Sequence, residues 1–105
     1  MKTLKTKEMI KREKTTGSKF IIDSDGYGIL KGYIFFLKVI YISLPKGHQD
    51  INKHYDGLNP NVNEGLTFFE GNIFGWDYGH SKTTNDYKGD IKRALEFFKA
   101  RGKKI

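Results

Sequence analysis

Tyr33-Ile34-Phe35-Phe36-Leu37-Lys38-Val39-Ile40-Tyr41-Ile42-Ser43-Leu44 is the longest apolar stretch of a 105-residue chain, and the fold turns on how it is read. It is too continuously apolar for one face of a surface helix. Its β-branched and aromatic residues favour strand, and unbroken apolarity suits a strand covered on both sides. The expectation is a single central strand over Tyr33–Leu44, ended by Pro45. The stretch falls well short of the roughly 20 apolar residues that a membrane helix needs, and Lys38 interrupts it.

On the N-terminal side, Phe20-Ile21-Ile22 and Tyr27–Leu30 flank Asp23-Ser24-Asp25-Gly26, a turn sequence, and read as a hairpin of two short strands. Residues 1–18 form a basic leader with few apolar anchors, expected to be solvated, with a short helical turn around Thr6–Glu13 or a nucleic-acid-contacting arm as alternatives. No apolar signal segment follows the basic start, so the chain is expected to be soluble and intracellular. On the C-terminal side, residues 45–65 are a long polar connection, of a length that is commonly functional or held by something other than a core. Leu66–Glu70 and Ile73–Asp77 flank Gly71-Asn72 as a second hairpin. Tyr87, Ile91, Ala94, Leu95 and Phe98 fall at helical spacing, with Asn85, Asp86 or Asp90 as caps and Gly102 as a stop. Together these give a single α+β domain over residues 1–105: a mostly antiparallel sheet, a C-terminal helix across one face, and a long loop that a metal would stabilise.

Composition narrows the function classes. Eight Phe, six Tyr and one Trp argue for a folded domain. The absence of cysteine excludes disulfides, thiolate zinc fingers and a cysteine nucleophile. Nineteen Lys plus Arg against twelve Asp plus Glu give a net charge of +7, so the chain cannot imitate a polyanion such as DNA. It suits an acidic protein patch or an RNA as partner. Direct DNA binding is the standard alternative for a basic protein, but no familiar nucleic-acid motif is present, and much of the charge sits at the two ends. Of the hairpin aromatics Phe68, Phe69, Phe74 and Trp76, those that the core does not take are candidate partner anchors.

All three histidines fall outside the expected strands and helix, each near an aspartate: His48-Gln49-Asp50, His54-Tyr55-Asp56 and Asp77-Tyr78-Gly79-His80. Imidazole nitrogens with a carboxylate make a suitable cage for Zn²⁺, and metal closure would hold the 45–65 loop. His48, His54, Asp56, Asp77 and His80 are therefore the candidate ligands. Pro45 and Asp77 share a sheet edge only if their strands run parallel or are not neighbours. Ordinary surface histidines are the plain alternative. Ser43 and Ser81 lack a nucleophile elbow, which speaks against a hydrolase of that kind. A small metal-dependent hydrolase would need an open zinc position. A sponge for a nucleotide immune signal would need a pocket, with Tyr55, Trp76, Lys46 and His48 as its candidates.

From residue 33 to 101 the chain resembles a family of small phage and prophage accessory proteins. The resemblance rests on Pro45-Lys46-Gly47-His48, Tyr55-Asp56, Gly65-Leu66-Thr67 and Gly75-Trp76-Asp77-Tyr78-Gly79-His80. Where the family has His-Gly before Gly-Leu-Thr, this chain has Asn63-Glu64. If that histidine is a ligand there, His54 is the first substitute, with Asn63 and Glu64 behind it. The resemblance supports His48, Asp77 and His80 most strongly and Asp56 through the Tyr-Asp match. His54 rests on chemistry alone. It also implies a phage protein acting in the host cell cytoplasm against bacterial defence. Its sharpest form is a zinc-binding anti-CRISPR protein that binds a type II CRISPR nuclease stoichiometrically and blocks target-DNA loading.

Overall fold

The computed structural model describes residues 5–63, 65–79 and 86–102. Its elements are α1 (Lys7–Thr16), β1 (Ile21–Ile22), β2 (Gly28–Ile34), β3 (Leu37–Ser43), β4 (Phe68–Glu70), β5 (Ile73–Asp77) and α2 (Tyr87–Gly102). The five strands form one antiparallel sheet in the order β1-β2-β3-β5-β4. The α+β architecture with a C-terminal helix on one face is the one expected.

The central strand β3 alternates with period two. Ile40 and Ile42 join Phe74, Trp76, Ala94 and Phe98 in a core under α2. Val39 and Tyr41 join Leu30, Ile73 and Met9 in a second core under α1. Burial on both faces is thus correct for Val39–Ser43. The expected single strand over Tyr33–Leu44 is not. Tyr33 and Ile34 close β2, and Phe35-Phe36 reverse the chain so that Ile34 pairs with Leu37. The sequence hides this turn, because neither residue is one that turns normally select.

In the leader the helical alternative around Thr6–Glu13 forms, extended to Thr16, in place of a solvated arm. Thr6 caps α1 by accepting a hydrogen bond from the Met9 amide, and Gly17 closes it in a left-handed conformation with φ 76°. Met9 is buried, and Arg12 lies over the Phe68 ring at 5.0 Å. Glu13 is buried as well, taking hydrogen bonds from Lys5 Nζ at 2.6 Å and from the Phe20 amide at 2.8 Å. Burial works against its charged form. The bonds from Lys5 and Phe20, with the Lys5 and Lys19 charges, outweigh that and hold its carboxyl below the ordinary range. Two apolar contacts and one paired carboxylate dock a helix whose sequence reads as mostly polar.

The other expected elements form. Asp23 Oδ1 accepts from the Asp25 and Tyr27 amides and shapes the β1–β2 turn. Gly71-Asn72 joins β4 to β5. At the start of α2, Asp86 caps by accepting from the Gly89 amide at 3.1 Å. No helix among the described residues is long and apolar enough to cross a membrane.

Candidate functional site

The β2–β3 hairpin ends in two phenylalanines that none of the described residues covers. Phe35 is 94% exposed and Phe36 100%, with Tyr33 beside them at 53%. Phe35 also holds φ 56°, a left-handed conformation that a bulky side chain adopts at a cost of about 1–3 kcal/mol. Each ring withheld from water on docking would contribute about 1.5–3 kcal/mol. Below the tip, Lys38 Nζ lies 5.0 Å from the Tyr33 ring and 4.7 Å from the Tyr87 ring, linking the hairpin to the start of α2. The tip is thus an exposed apolar projection on a basic protein.

The opposite end of the sheet carries the polar chemistry, and it serves the fold. His48 Nδ1 accepts the Asp50 amide at 3.0 Å, while Nε2 lies 2.8 Å from the Phe98 carbonyl and donates to it. Tyr27 donates its hydroxyl to the same carbonyl at 3.2 Å, and Gln49 donates its side-chain amide to the Arg101 carbonyl. These groups satisfy carbonyls near the end of α2, where intrahelical partners run out. Asp50 is fully buried and takes a two-pronged bond from Arg101, 2.6 Å from Nε and 2.8 Å from the terminal nitrogen. Burial pushes its carboxyl upward. Arg101 outweighs this, aided by Lys53 and His48, and holds it below the ordinary carboxylate range.

A second polar network ties the far end of the same loop to α2. Buried Asp90 accepts the Tyr78 hydroxyl at 2.5 Å and the Asn63 amide at 3.3 Å, and pairs with Arg93. Trp76 Nε1 donates to Tyr78 at 2.9 Å, and Arg93 Nε donates to the Asn61 carbonyl. Burial, then the bond to Asp90, raises the Tyr78 hydroxyl well above its ordinary value. Val62 and Leu66 complete the attachment by packing into the α2-side core. Protein contacts therefore hold the 45–65 loop at both ends.

The four described candidate zinc ligands, His48, His54, Asp56 and Asp77, do not converge. β3 and β5 are antiparallel neighbours, with Val39 opposite Asp77 and Ser43 opposite Ile73. The Pro45–His48 turn therefore leaves one end of the sheet and Asp77 the other, the arrangement under which they share no edge. Both ring nitrogens of His48 are already engaged. His54 is exposed, its Nδ1 accepts the Asp56 amide, and its ring leans on Phe69 at 4.6 Å. Asp56 is exposed beside it. Asp77 accepts the Gly79 amide and lies 3.4 Å from the Thr67 hydroxyl. His80 and Glu64 lie outside the described residues. Among the described residues no three His, Asp or Glu side chains can hold a metal ion, so they do not fit a zinc cage.

The sponge candidates are likewise dispersed. Trp76 and His48 are buried, while Lys46 borders a separate cavity with Thr6, Glu8 and Asn72. Ser43 is buried, and Ser81 lies outside the described residues. Among the aromatics expected to anchor a partner, Phe74 and Trp76 are core and Phe68 and Phe69 half-buried. Sequence reasoning missed Phe35 and Phe36 as the exposed aromatics. The available signal was length: a twelve-residue strand, counted from Tyr33 to Leu44, is twice the usual five or six. Comparison with known protein families, curated proteins and solved structures found no match for the chain.

Proposed function

We propose that the chain acts by stoichiometric binding to a protein, as an inhibitor of a host defence nuclease, with the Phe35-Phe36 tip as its anchor. The observation that carries this reading is the pairing of near-complete exposure with a conformation that phenylalanine avoids. A folding turn would place glycine, asparagine or aspartate there. A two-residue turn projects both rings beyond the sheet, and a phenylalanine has only two rotatable side-chain bonds to order on docking, which favours an apolar protein pocket as partner. The net charge of +7 favours an acidic surface around that pocket. The resemblance to small phage accessory proteins supports a guide-loaded type II CRISPR nuclease as the first target, with target-DNA loading as the blocked step. Zinc has no part in this reading.

The test titrates the protein against guide-loaded nuclease and measures DNA binding separately from cleavage. Inhibition should saturate near one protein per nuclease. Phe35→Ser combined with Phe36→Ser should weaken it at least tenfold without lowering the melting temperature. Inhibition that tracks DNA concentration and vanishes at moderate salt would mark a DNA-coating protein instead. Equal inhibition by the double-serine variant would remove the tip from the mechanism.

A further inference from the structure

The face that carries Tyr33 continues into a cleft between the sheet edge and α2. In β2, Ile29, Lys31 and Tyr33 lie on one face at period two, since their partners Ile42, Ile40 and Lys38 alternate in the same sense. In α2, Lys88, Ile91, Lys92 and Leu95 form a stripe at i, i+3, i+4 and i+7. Ile29 and Lys31 of the first row, the α2 stripe and Ile21 of β1 line an open cleft of about 340 Å³. Ile29, Ile91 and Leu95 make an aliphatic floor, and Ile21 stands at the lip, 71% exposed. Lys31, Lys88 and Lys92 form the rim, and among the described residues no carboxylate lines the cleft.

Among the described residues the rim lysines belong, with Lys7, Lys14, Lys38 and Lys46, to the set without a carboxylate partner, in contrast to a second set. Lys5, Lys11, Lys53 and Lys99 pair with Glu13, Glu70, Asp50 and the Asp23–Asp25 turn respectively. Among the described residues the three rim lysines have no such ion pair. Three like charges around an apolar floor repel one another, and an incoming anion relieves that repulsion. The floor is aliphatic and has no aromatic ring on which a nucleic-acid base could stack. β1 is the outermost strand, so its free edge can accept the backbone of an extended chain.

We propose that this cleft binds an extended acidic segment of a protein partner, its apolar side chains on the isoleucine and leucine floor and its carboxylates on Lys31, Lys88 and Lys92. The proposal deepens the reading of the chain as a protein-binding inhibitor, and rests on it, by stating the chemistry of the partner. Tyr33 stands between tip and cleft on the same face, so one partner can engage both.

The probe is a fluorescent peptide of alternating leucine and glutamate, about eight residues long, read by anisotropy and by amide shifts of the labelled protein. Binding should be submillimolar, should weaken with salt, and should move the amides of Ile29, Ile91 and Leu95. Lys31→Glu with Lys92→Glu, both at exposed positions, should weaken it at least tenfold, and a leucine–lysine peptide should restore binding to that variant. Absence of binding at millimolar peptide, or unchanged binding by the double variant, overturns the proposal. So does equal or tighter binding of an oligothymidylate or of phosphatidylglycerol vesicles that the same variant abolishes, which would make the occupant a nucleic acid or a lipid. The peptide assay contains no nuclease, so its failure leaves the tip's role standing, and a failed nuclease titration leaves the peptide result standing.

Discussion

Two hairpins of one sheet make the same conformational demand and answer it with opposite residues. Both β4–β5 and β2–β3 turn on two residues, and in both the first takes positive φ: Gly71 at 58° and Phe35 at 56°. Gly71-Asn72 faces inward. Asn72 is buried, donates to the Leu44 carbonyl at 3.1 Å and accepts from Thr6 at 2.9 Å, so this turn stitches α1 and β3 together. Phe35-Phe36 faces outward and stitches nothing. The first turn is built for the fold, and the second spends stability on an exposed surface. Locally unfavourable choices of this kind are expected where a protein makes contact with something else.

Exchanging the turns gives the largest effect. Phe35→Gly with Phe36→Asn copies the inward turn onto the outward one. It should relieve about 1 kcal/mol of backbone strain and raise the melting temperature by several degrees. Partner inhibition should fall about a hundredfold or more, since both rings are expected to be central anchors. A stabilised variant that still inhibits would break the contrast. In the other direction, Gly71→Ala should destabilise by about 1–2 kcal/mol because φ 58° disfavours a side chain, and should leave inhibition per folded molecule unchanged. Thermal melts beside inhibition curves read both halves.

The next effect separates stability from contact at the Asp50 anchor. Arg101→Ala leaves a fully buried carboxylate with Lys53, 3.4 Å away, as its remaining lysine partner among the described residues. A loss of about 2–3 kcal/mol is expected from removing one member of a buried pair, allowing for the part-exposed Arg101. Urea unfolding measures it, and inhibition below the new melting range should match the parent. Asp50→Asn should lose less, because the amide needs no counter-charge. A larger loss for asparagine than for Arg101→Ala would mean that the carboxylate holds more than the helix end.

Acid provides a milder probe of the same division. Glu13, Asp23 and Asp50 all have carboxyls held below their ordinary values, 4.5 for the glutamate and 3.8 for the aspartates. Burial opposes each shift, and bonds from Lys5, Lys99 and Arg101 respectively overcome it. A carboxyl lowered by folding contributes its full stability above its unfolded value and loses it as pH falls through the folded one. Stability should therefore be level above about pH 5 and decline as pH drops through 4 and below. Glu13→Gln should make that decline shallower. Neither Phe35 nor Phe36 titrates, so the Phe35→Gly, Phe36→Asn exchange should shift the whole curve without changing its slope. Melting temperature against pH tests both statements.

How far the residues announced all this follows from the range of the forces involved. Local signals worked: Asp23 shaping a turn, Gly71-Asn72 reversing a hairpin, Asp86 capping a helix, and the Ile91–Phe98 spacing of α2. Each depends on neighbours a few positions away. The Phe35-Phe36 turn was hidden because its residues oppose the local rule, and only the length of the apolar run betrayed it. The docking of α1 was hidden because it depends on Glu13 meeting Lys5, Lys19 and the Phe20 amide, and on Met9 meeting a sheet yet to form. His48 and Asp50 were legible as a noteworthy pair. Their task was not, because it is set by Phe98 and Arg101, about 50 positions away.

The smallest expected effect concerns zinc, and it follows from strand direction. The ladder from Ser43–Ile73 to Val39–Asp77 spans four residues, about 14 Å at 3.4 Å per residue. Zinc bonds to nitrogen and oxygen are only about 2.0–2.2 Å long, so His48 at one end and Asp77 at the other cannot share an ion. Recruiting His48 would also break its bond to Phe98 or to the Asp50 amide. Chelator should therefore leave the melting temperature unchanged, and untagged protein should carry well under one zinc per chain. His48→Ala should destabilise equally with and without chelator, because it frees the end of α2 whatever the metal content. A full equivalent of zinc whose removal lowers the melting temperature would contradict this and direct attention to Asp77 with His80, or to His54 with Asp56. Loss of that zinc in His48→Ala would go further, since it would require a different path for the sheet and so undo the two-hairpin contrast itself.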